Sequence, residues 1–274
     1  MGVLATGIGI WIIALVGSGG PMRQAAVDSL IKSGQVKAVA QAVYENNWRT
    51  REGLIEALER MGAVLELADI AERHSKLDAQ RLAIRGLGRT GKKEAQGTLR
   101  YLLASENRDL AIEALAQVGD ASDIGRAREL LRDDRPDVRR RAMLALVKLG
   151  KEASLGALVS MLGDPHHSVR FAAFDPLVSF GIAGADQVLG TYEQLPRVGK
   201  QLAVRLFGKL RYRPGEAILR RALVGESWPL QLAAASAMGM WGDPKWIPIL
   251  KEAQKPYNLP IVAMAIQDAL QEYQ

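Results

Sequence analysis

Apolar residues recur along this chain in a frame set by glycine. Gly34, Gly62, Gly91, Gly119, Gly150, Gly181 and Gly242 each close an apolar pattern, and Arg211 stands where one further glycine would fall; the steps between marks are 28, 29, 28, 31, 31, 30 and 31 residues. Eight residues before the marks stand Ala26, Leu54, Ala83, Ala111, Ala142, Ala173, Ala203 and Ala234. Four residues before them stand Leu30, Leu58, Leu87, Leu115, Leu146, Leu177, Phe207 and Met238. An i, i+4 apolar pair followed four residues on by glycine describes a helix with one buried stripe, closed by a residue free to take positive φ. Alanine in the first of these columns lets the helix lie close against its neighbour.

Between each mark and the next such helix runs a second, shorter apolar pattern, as at Ile124–Leu131 and Ile247–Leu250, preceded by Asp120 and by Asp243-Pro244. Asp followed by Pro is a helix start. Each unit is therefore two antiparallel helices, too small to bury its own apolar face, and successive units must share one core. The pattern predicts an all-α protein, an α-solenoid of about eight two-helix repeats over residues 22–274, preceded by a hydrophobic helix over residues 1–21.

The segments Asp137-Val138-Arg139 running into Ala142, Leu146 and Gly150, and Ser168-Val169-Arg170 running into Ala173, Leu177 and Gly181, resemble HEAT-like repeats of the short, roughly thirty-residue kind found in bilin lyases. The resemblance covers residues 22–274 and implies the fold; a solenoid is a scaffold on which many different sites have been placed, so it implies little about activity. Eleven residues before the marks stand Arg23, Arg51, Gln80, Arg108, Arg139, Arg170, Lys200 and Gln231. In HEAT-like families such a basic residue pairs with an acid in a neighbouring loop, and Asp78, Glu106 and Asp137 stand ready; the alternative is a basic track for an anionic ligand.

Residues 1–22 carry no charged side chain, and residues 3–17 are apolar apart from Thr6 and the glycines. A membrane anchor of about eighteen residues, with Ile8, Ile10, Trp11, Ile12, Ile13 and Leu15 facing lipid, fits this run at about 27 Å in length. The alternatives are a cleaved signal, which lacks a basic n-region, and a cap on the first repeat. Ala5 and Gly9 form a small-xxx-small pair, Gly2 and Thr6 match a myristoylation pattern, and Ser18-Gly19-Gly20-Pro21 reads as a linker. With an anchor, Arg23, Lys32 and Lys37 would place the solenoid in the cytoplasm; a cleaved signal would place it in the periplasm or outside the cell, and a cap would leave it soluble.

Composition narrows the classes further. The 274 residues are 48% hydrophobic, enough for a continuous core, and 24% charged, too many for a polytopic membrane protein. The absence of Cys removes disulfide scaffolds, thiolate metal sites and cysteine nucleophiles. The net charge of +6 is uneven: Arg197, Lys200, Arg205, Lys209, Arg211, Arg213, Arg220 and Arg221 fall in one short stretch opposed by Glu216 alone. There the frame also departs from glycine, and such departures are where binding surfaces are found. A patch of this density attracts an acidic protein, anionic lipid or nucleic-acid phosphates, unless it is only a solvated face.

Pro176 falls inside a predicted helix, which should kink or break there. All four Phe, at 171, 174, 180 and 207, lie in that unit and the next, followed by Trp228, Trp241 and Trp246. They either fill the space opened by the kink or line a groove beside the basic stretch. His74, His166 and His167 have no second His at i+3 or i+4 and no His-Glu dipeptide occurs, so the chain departs from the di-iron hydroxylase branch of HEAT-like enzymes. No phosphate loop, nucleophile elbow or dinucleotide fingerprint appears, no cofactor is implied, and no motif maps onto the HEAT-like alkylpurine DNA glycosylases. The expectation is a non-catalytic scaffold for an acidic protein partner or a membrane complex. A nucleic-acid-binding solenoid and an accessory factor resembling bilin lyases are the alternatives.

Overall fold

The computed structural model describes residues 7–17, 20–225, 227–256 and 258–273. No strand occurs among the described residues, and the chain divides into two compact units, Met1–Leu149 and Gly150–Gln274. The first holds α1 (Gly9–Gly17), α2 (Pro21–Ser33), α3 (Val36–Glu45), α4 (Trp48–Met61), α5 (Val64–Arg73), α6 (Leu77–Arg89), α7 (Gln96–Leu102), α8 (Arg108–Val118), α9 (Ile124–Glu129) and α10 (Pro136–Gly150). The second holds α11 (Leu155–Met161), α12 (His167–Ser179), α13 (Ile182–Thr191), α14 (Arg197–Lys209), α15 (Glu216–Val224), α16 (Trp228–Trp241), α17 (Trp246–Ala253) and α18 (Pro260–Gln271).

Within each unit the second helix of every pair stacks on the next: α2, α4, α6 and α8 in series in the first unit, and α12, α14, α16 and α18 in the second. The shorter helices α3, α5 and α7, and α11, α13, α15 and α17, pack on the second helices that follow them. The architecture is thus the α-solenoid type. Every residue of the two apolar columns is buried, from Ala26 and Leu30 to Ala234 and Met238, and each fully buried leucine contributes about 1.5–3 kcal/mol.

The marks close the helices as expected at Gly34, Gly62, Gly91, Gly181 and Gly242, which take φ between 60 and 69°. After Gly150 the left-handed residue is Lys151 (φ 44°), and Arg211 takes φ 49° without the freedom of glycine. Aspartates in the loops hold the starts of the next helices: Asp120, Asp133, Asp164 and Asp243 each accept from the backbone N–H two residues on, at 2.8–3.1 Å. The basic column does two jobs. Arg51 and Arg108 reach carboxylates of the following loops, Asp78 at 3.1 Å and Asp133 at 3.0 Å. Arg139 and Arg170 turn back to the carbonyls of Asp133 (2.8 Å) and Asp164 (2.7 Å) instead, as Gln80 does to His74 (2.8 Å).

Two expectations are corrected here. The α12 helix runs through Pro176 to Ser179 rather than breaking; the ring removes one backbone bond, and packing against α11, α13 and α14 holds the helix regardless. The N-terminal run does not support a spanning anchor. No helix among the described residues is long and apolar enough to cross a membrane, and α1 packs on α2 and α4 with Ile8, Ile12 and Leu15 buried as one stripe of an ordinary helix face. Ile10, Trp11 and Ile13 remain exposed, the two isoleucines at 69% and 62%. The Gly2/Thr6 pattern, Ala5 of the small-residue pair and half of the proposed linker (residues 18 and 19) lie outside the described residues.

Candidate functional site

The solvent-facing flank of the second helices is built by three further columns, ten, six and two residues before each mark. In the first unit these read Gln24, Glu52, Arg81, Asp109 and Arg140; Asp28, Glu56, Arg85, Glu113 and Leu144; Lys32, Arg60, Arg89, Gln117 and Lys148. Ion pairs tie each helix to the next. Arg23 meets Glu52 (2.8 Å) and Arg60 meets Asp28 (2.8 Å) between α2 and α4, and Arg89 meets Glu59 (2.7 Å) between α6 and α4. Asp109 on α8, 1% exposed, is approached by Arg81 of α6 at 3.7 Å and by Arg135 and Arg141 at 3.4 and 3.6 Å. Neither of its carboxylate oxygens has a hydrogen-bond donor. Arg141 also pairs with Glu113, while burial pushes its guanidinium below the usual value.

In the second unit the same columns read Phe171, Gln201 and Leu232; Asp175, Arg205 and Ser236; Ser179, Lys209 and Met240, and α18 continues them with Met264, Asp268 and Glu272. Among the described residues no ion pair joins two of these four helices. They meet through small residues: a side chain at Gly208 would stand 2.6 Å from the Ala237 Cα, and one at Gly239 would stand 2.9 Å from the Ala269 Cα. Exposed apolar groups gather on this flank among its charged residues, with Phe171 54%, Trp228 47% and Met264 62% exposed beside Val198, Met240 and Ile261. Exposed apolar groups gathered in one place mark an interaction surface, whereas scattered ones need no explanation.

Two recesses open along this flank. A cleft of about 250 Å³ across α12, α14 and α16 is lined by Arg170, Phe171, Val198, Arg205, Trp228 and Leu232, among others. A wider one of about 690 Å³ is lined by Arg211, Leu232, Met240, Met264, Asp268 and Glu272, among others, so Leu232 belongs to both.

The eight basic residues of the 197–221 stretch are distributed over several elements. Arg205 and Arg211 line the two recesses. Lys209 lies over the Phe174 ring, 5.7 Å from its centroid. Lys200 and Arg221 converge on Glu193 and on the Tyr192 ring, at 5.2 and 5.7 Å; their hydrogen bonds hold the Glu193 carboxyl below its ordinary range. Arg220 stacks 5.3 Å from the Trp246 centroid on α17, and Arg197 and Arg213 are exposed. Burial, and then a hydrogen bond to Asp186, pushes the Tyr212 hydroxyl up to about 12. Of the aromatics, Phe207, Trp241 and Trp246 are buried in the core, while Phe171 and Trp228 face solvent. The flank residues were readable in principle: the ten-before column changes from charged to apolar or amide side chains at residue 171.

Among the described residues no group of three or more His, Asp or Glu could hold a metal ion. His166 and His167 stack on each other at 4.8 Å, and the buried His74 stacks on Tyr44 at 4.7 Å.

Residues 64–137, 104–177 and 125–191 match the family model of HEAT repeats. No curated protein matches the sequence. Among solved structures, the chain is similar to YibA of Escherichia coli at 16% identity, with 93% of this chain and 98% of that one covered and a TM-score of 0.53. It is also similar to the CpcE–CpcF complex of phycocyanin lyase from Nostoc, at 16% identity, 97% and 94% coverage and a TM-score of 0.42. Human deoxyhypusine hydroxylase gives 17% identity, 93% and 99% coverage and a TM-score of 0.41. The first of these likenesses shows the fold; the other two are too distant to carry an argument.

Proposed function

We propose, from the premise that this chain is a HEAT-like repeat protein, that it is a non-catalytic scaffold which holds a protein partner on the exposed flank of α12, α14, α16 and α18. The observation that carries this reading is the line of exposed Phe171, Val198, Trp228, Met240, Ile261 and Met264 on one flank of four stacked helices, of which Phe171, Met240 and Met264 stand in columns that hold mostly charged residues in the first unit. Covering such a surface removes apolar area from water, at about 25 cal/mol per Å², and the small-residue contacts between the helices keep it rigid, which lowers the entropic cost of binding. The basic residues that line it, Arg205 and Arg211, belong to the same surface; Lys200 and Arg221 are engaged with Glu193.

The test is site-specific photo-crosslinking in the cells that make the protein. A benzophenone amino acid at position 171 or 264 should give adducts of discrete mass with another protein. The same group at Leu65 or Ile182, more exposed (81% and 73%) but on first helices, should not. Adducts of equal yield at all four positions, or none at 171 and 264, would sink the proposal.

A further inference from the structure

The cleft across α12, α14 and α16 contains a cation that its own surroundings leave without a counter-charge. Arg205 is exposed and makes no ion pair among the described residues. Arg170, on the same cleft, spends its Nη1 on two neutral carbonyls, Asp164 at 2.7 Å and Pro165 at 2.8 Å. Among the described residues no carboxylate lines the cleft. Asp175, six residues before its mark as Arg205 is before its own, is exposed and unpaired with it. The wider recess differs, because Asp268 and Glu272 share it with Arg211.

An occupant seated on Phe171, Val198 and Trp228 also covers Arg205, since all four line one cleft of about 250 Å³. Covering a guanidinium with apolar atoms strips its water and leaves a buried, unpaired charge, a cost of several kcal/mol that cancels the gain from a few apolar contacts. A carboxylate removes that cost, because guanidinium and carboxylate match as a planar, two-bonded pair. The cleft is too small for a folded domain and has the size of one or two side chains.

We infer that the segment of the partner held at this cleft is a short peptide stretch carrying an Asp or Glu beside a bulky apolar residue, the apolar group seated between Phe171 and Trp228 and the carboxylate on Arg205. This inference rests on the binding surface proposed above and adds the chemistry of what it selects. The carboxylate requirement is local to α14: at the α18 end Asp268 and Glu272 already offset Arg211.

Panning the full-length chain against a displayed library of random dodecapeptides tests it without knowledge of the partner. The enriched pool should carry Asp or Glu within a few positions of Phe, Trp, Leu or Met. With Arg205→Glu the acidic preference should disappear, and the best acidic peptide should bind at least tenfold more weakly. With Trp228→Ala the enrichment should be lost for acidic and neutral peptides alike. Circular dichroism and the melting temperature establish that both variants are folded. A pool of apolar peptides without acids, or an acidic preference that survives Arg205→Glu, overturns the inference and leaves the proposed surface standing. Enrichment that Trp228→Ala does not change overturns the proposed surface as well. An empty pool overturns the inference, and so does a labelled twenty-nucleotide single strand that binds through Arg205 where the peptides do not.

Discussion

The two units present the same flank of the same kind of helix and differ in how far charge bridges it. In the first, long charged side chains bridge from helix to helix, with Asp109 gathering three guanidiniums beneath them. In the second, glycine and alanine bring α14, α16 and α18 together, as Gly88 and Ala114 also do between α6 and α8, but among the described residues no ion pair is added between the stacked helices. A flank that supplies its own partners has little left to offer a ligand, whereas one held from below can leave apolar and cationic groups facing solvent. The difference is the reason the proposed binding surface is placed in the second unit.

The largest effect expected from this contrast is at Asp109. Asp109→Asn keeps the shape and removes the buried counter-charge of Arg81, Arg135 and Arg141, at a cost of about 3 kcal/mol in urea unfolding. Arg205→Gln, a comparable loss of charge on the other unit's flank, should change stability by no more than about 0.5 kcal/mol. Equal costs at the two sites would erase the distinction.

Next is Asp133. Its burial works against the charged form, but hydrogen bonds from Arg108 and from the Arg135 backbone N–H outweigh it and bring the carboxyl down to about 2. A folded-state value below the unfolded one contributes stability that is present above pH ~4 and is lost as the pH falls toward 2. Asp133→Asn should therefore cost about 2 kcal/mol at pH 7, and the penalty should shrink toward zero near pH 2 in parallel urea titrations. A penalty independent of pH would mean that the aspartate acts through its shape rather than its charge.

A smaller effect, of opposite sign, is expected at Arg211. Its left-handed backbone costs a non-glycine residue about 1–2 kcal/mol, so Arg211→Gly should raise the unfolding free energy by about 1 kcal/mol. An unchanged or lower urea midpoint would show that side-chain contacts of Arg211 outweigh the backbone strain. The smallest effect is from salt. Exposed ion pairs are worth about 0–1 kcal/mol each and are screened, so hydrogen exchange in 1 M NaCl should quicken in α2–α8 and stay unchanged in α16 and α18, which carry no ion pair among the described residues.

Much of the fold was legible because repetition makes its own evidence. The two apolar columns that end at each glycine are the buried core, and Asp120 and Asp243 start helices where the sequence placed them. Burial and charge pairing were harder to read. The run from Ile8 to Leu15 is as apolar as a membrane segment, and only its packing on α2 and α4 distinguishes the half that is covered from the half that is not. The dense basic stretch reads as one patch along the chain, but a helix, a turn and another helix send its members in different directions. At Pro176, the loss of one hydrogen bond weighed less than three packed neighbours. The flank columns carry no repeating signal of their own, because residues at equivalent positions there differ from unit to unit.

The contacts of Gly208 with Ala237 and of Gly239 with Ala269 fix the spacing of α14, α16 and α18 from below the surface. The side chains above them are released from any part in assembly. Phe171, Gln201, Leu232 and Met264 can therefore be varied together while the helices keep their places, which makes this half of the molecule a framework whose recognition can be rewritten without rebuilding its fold.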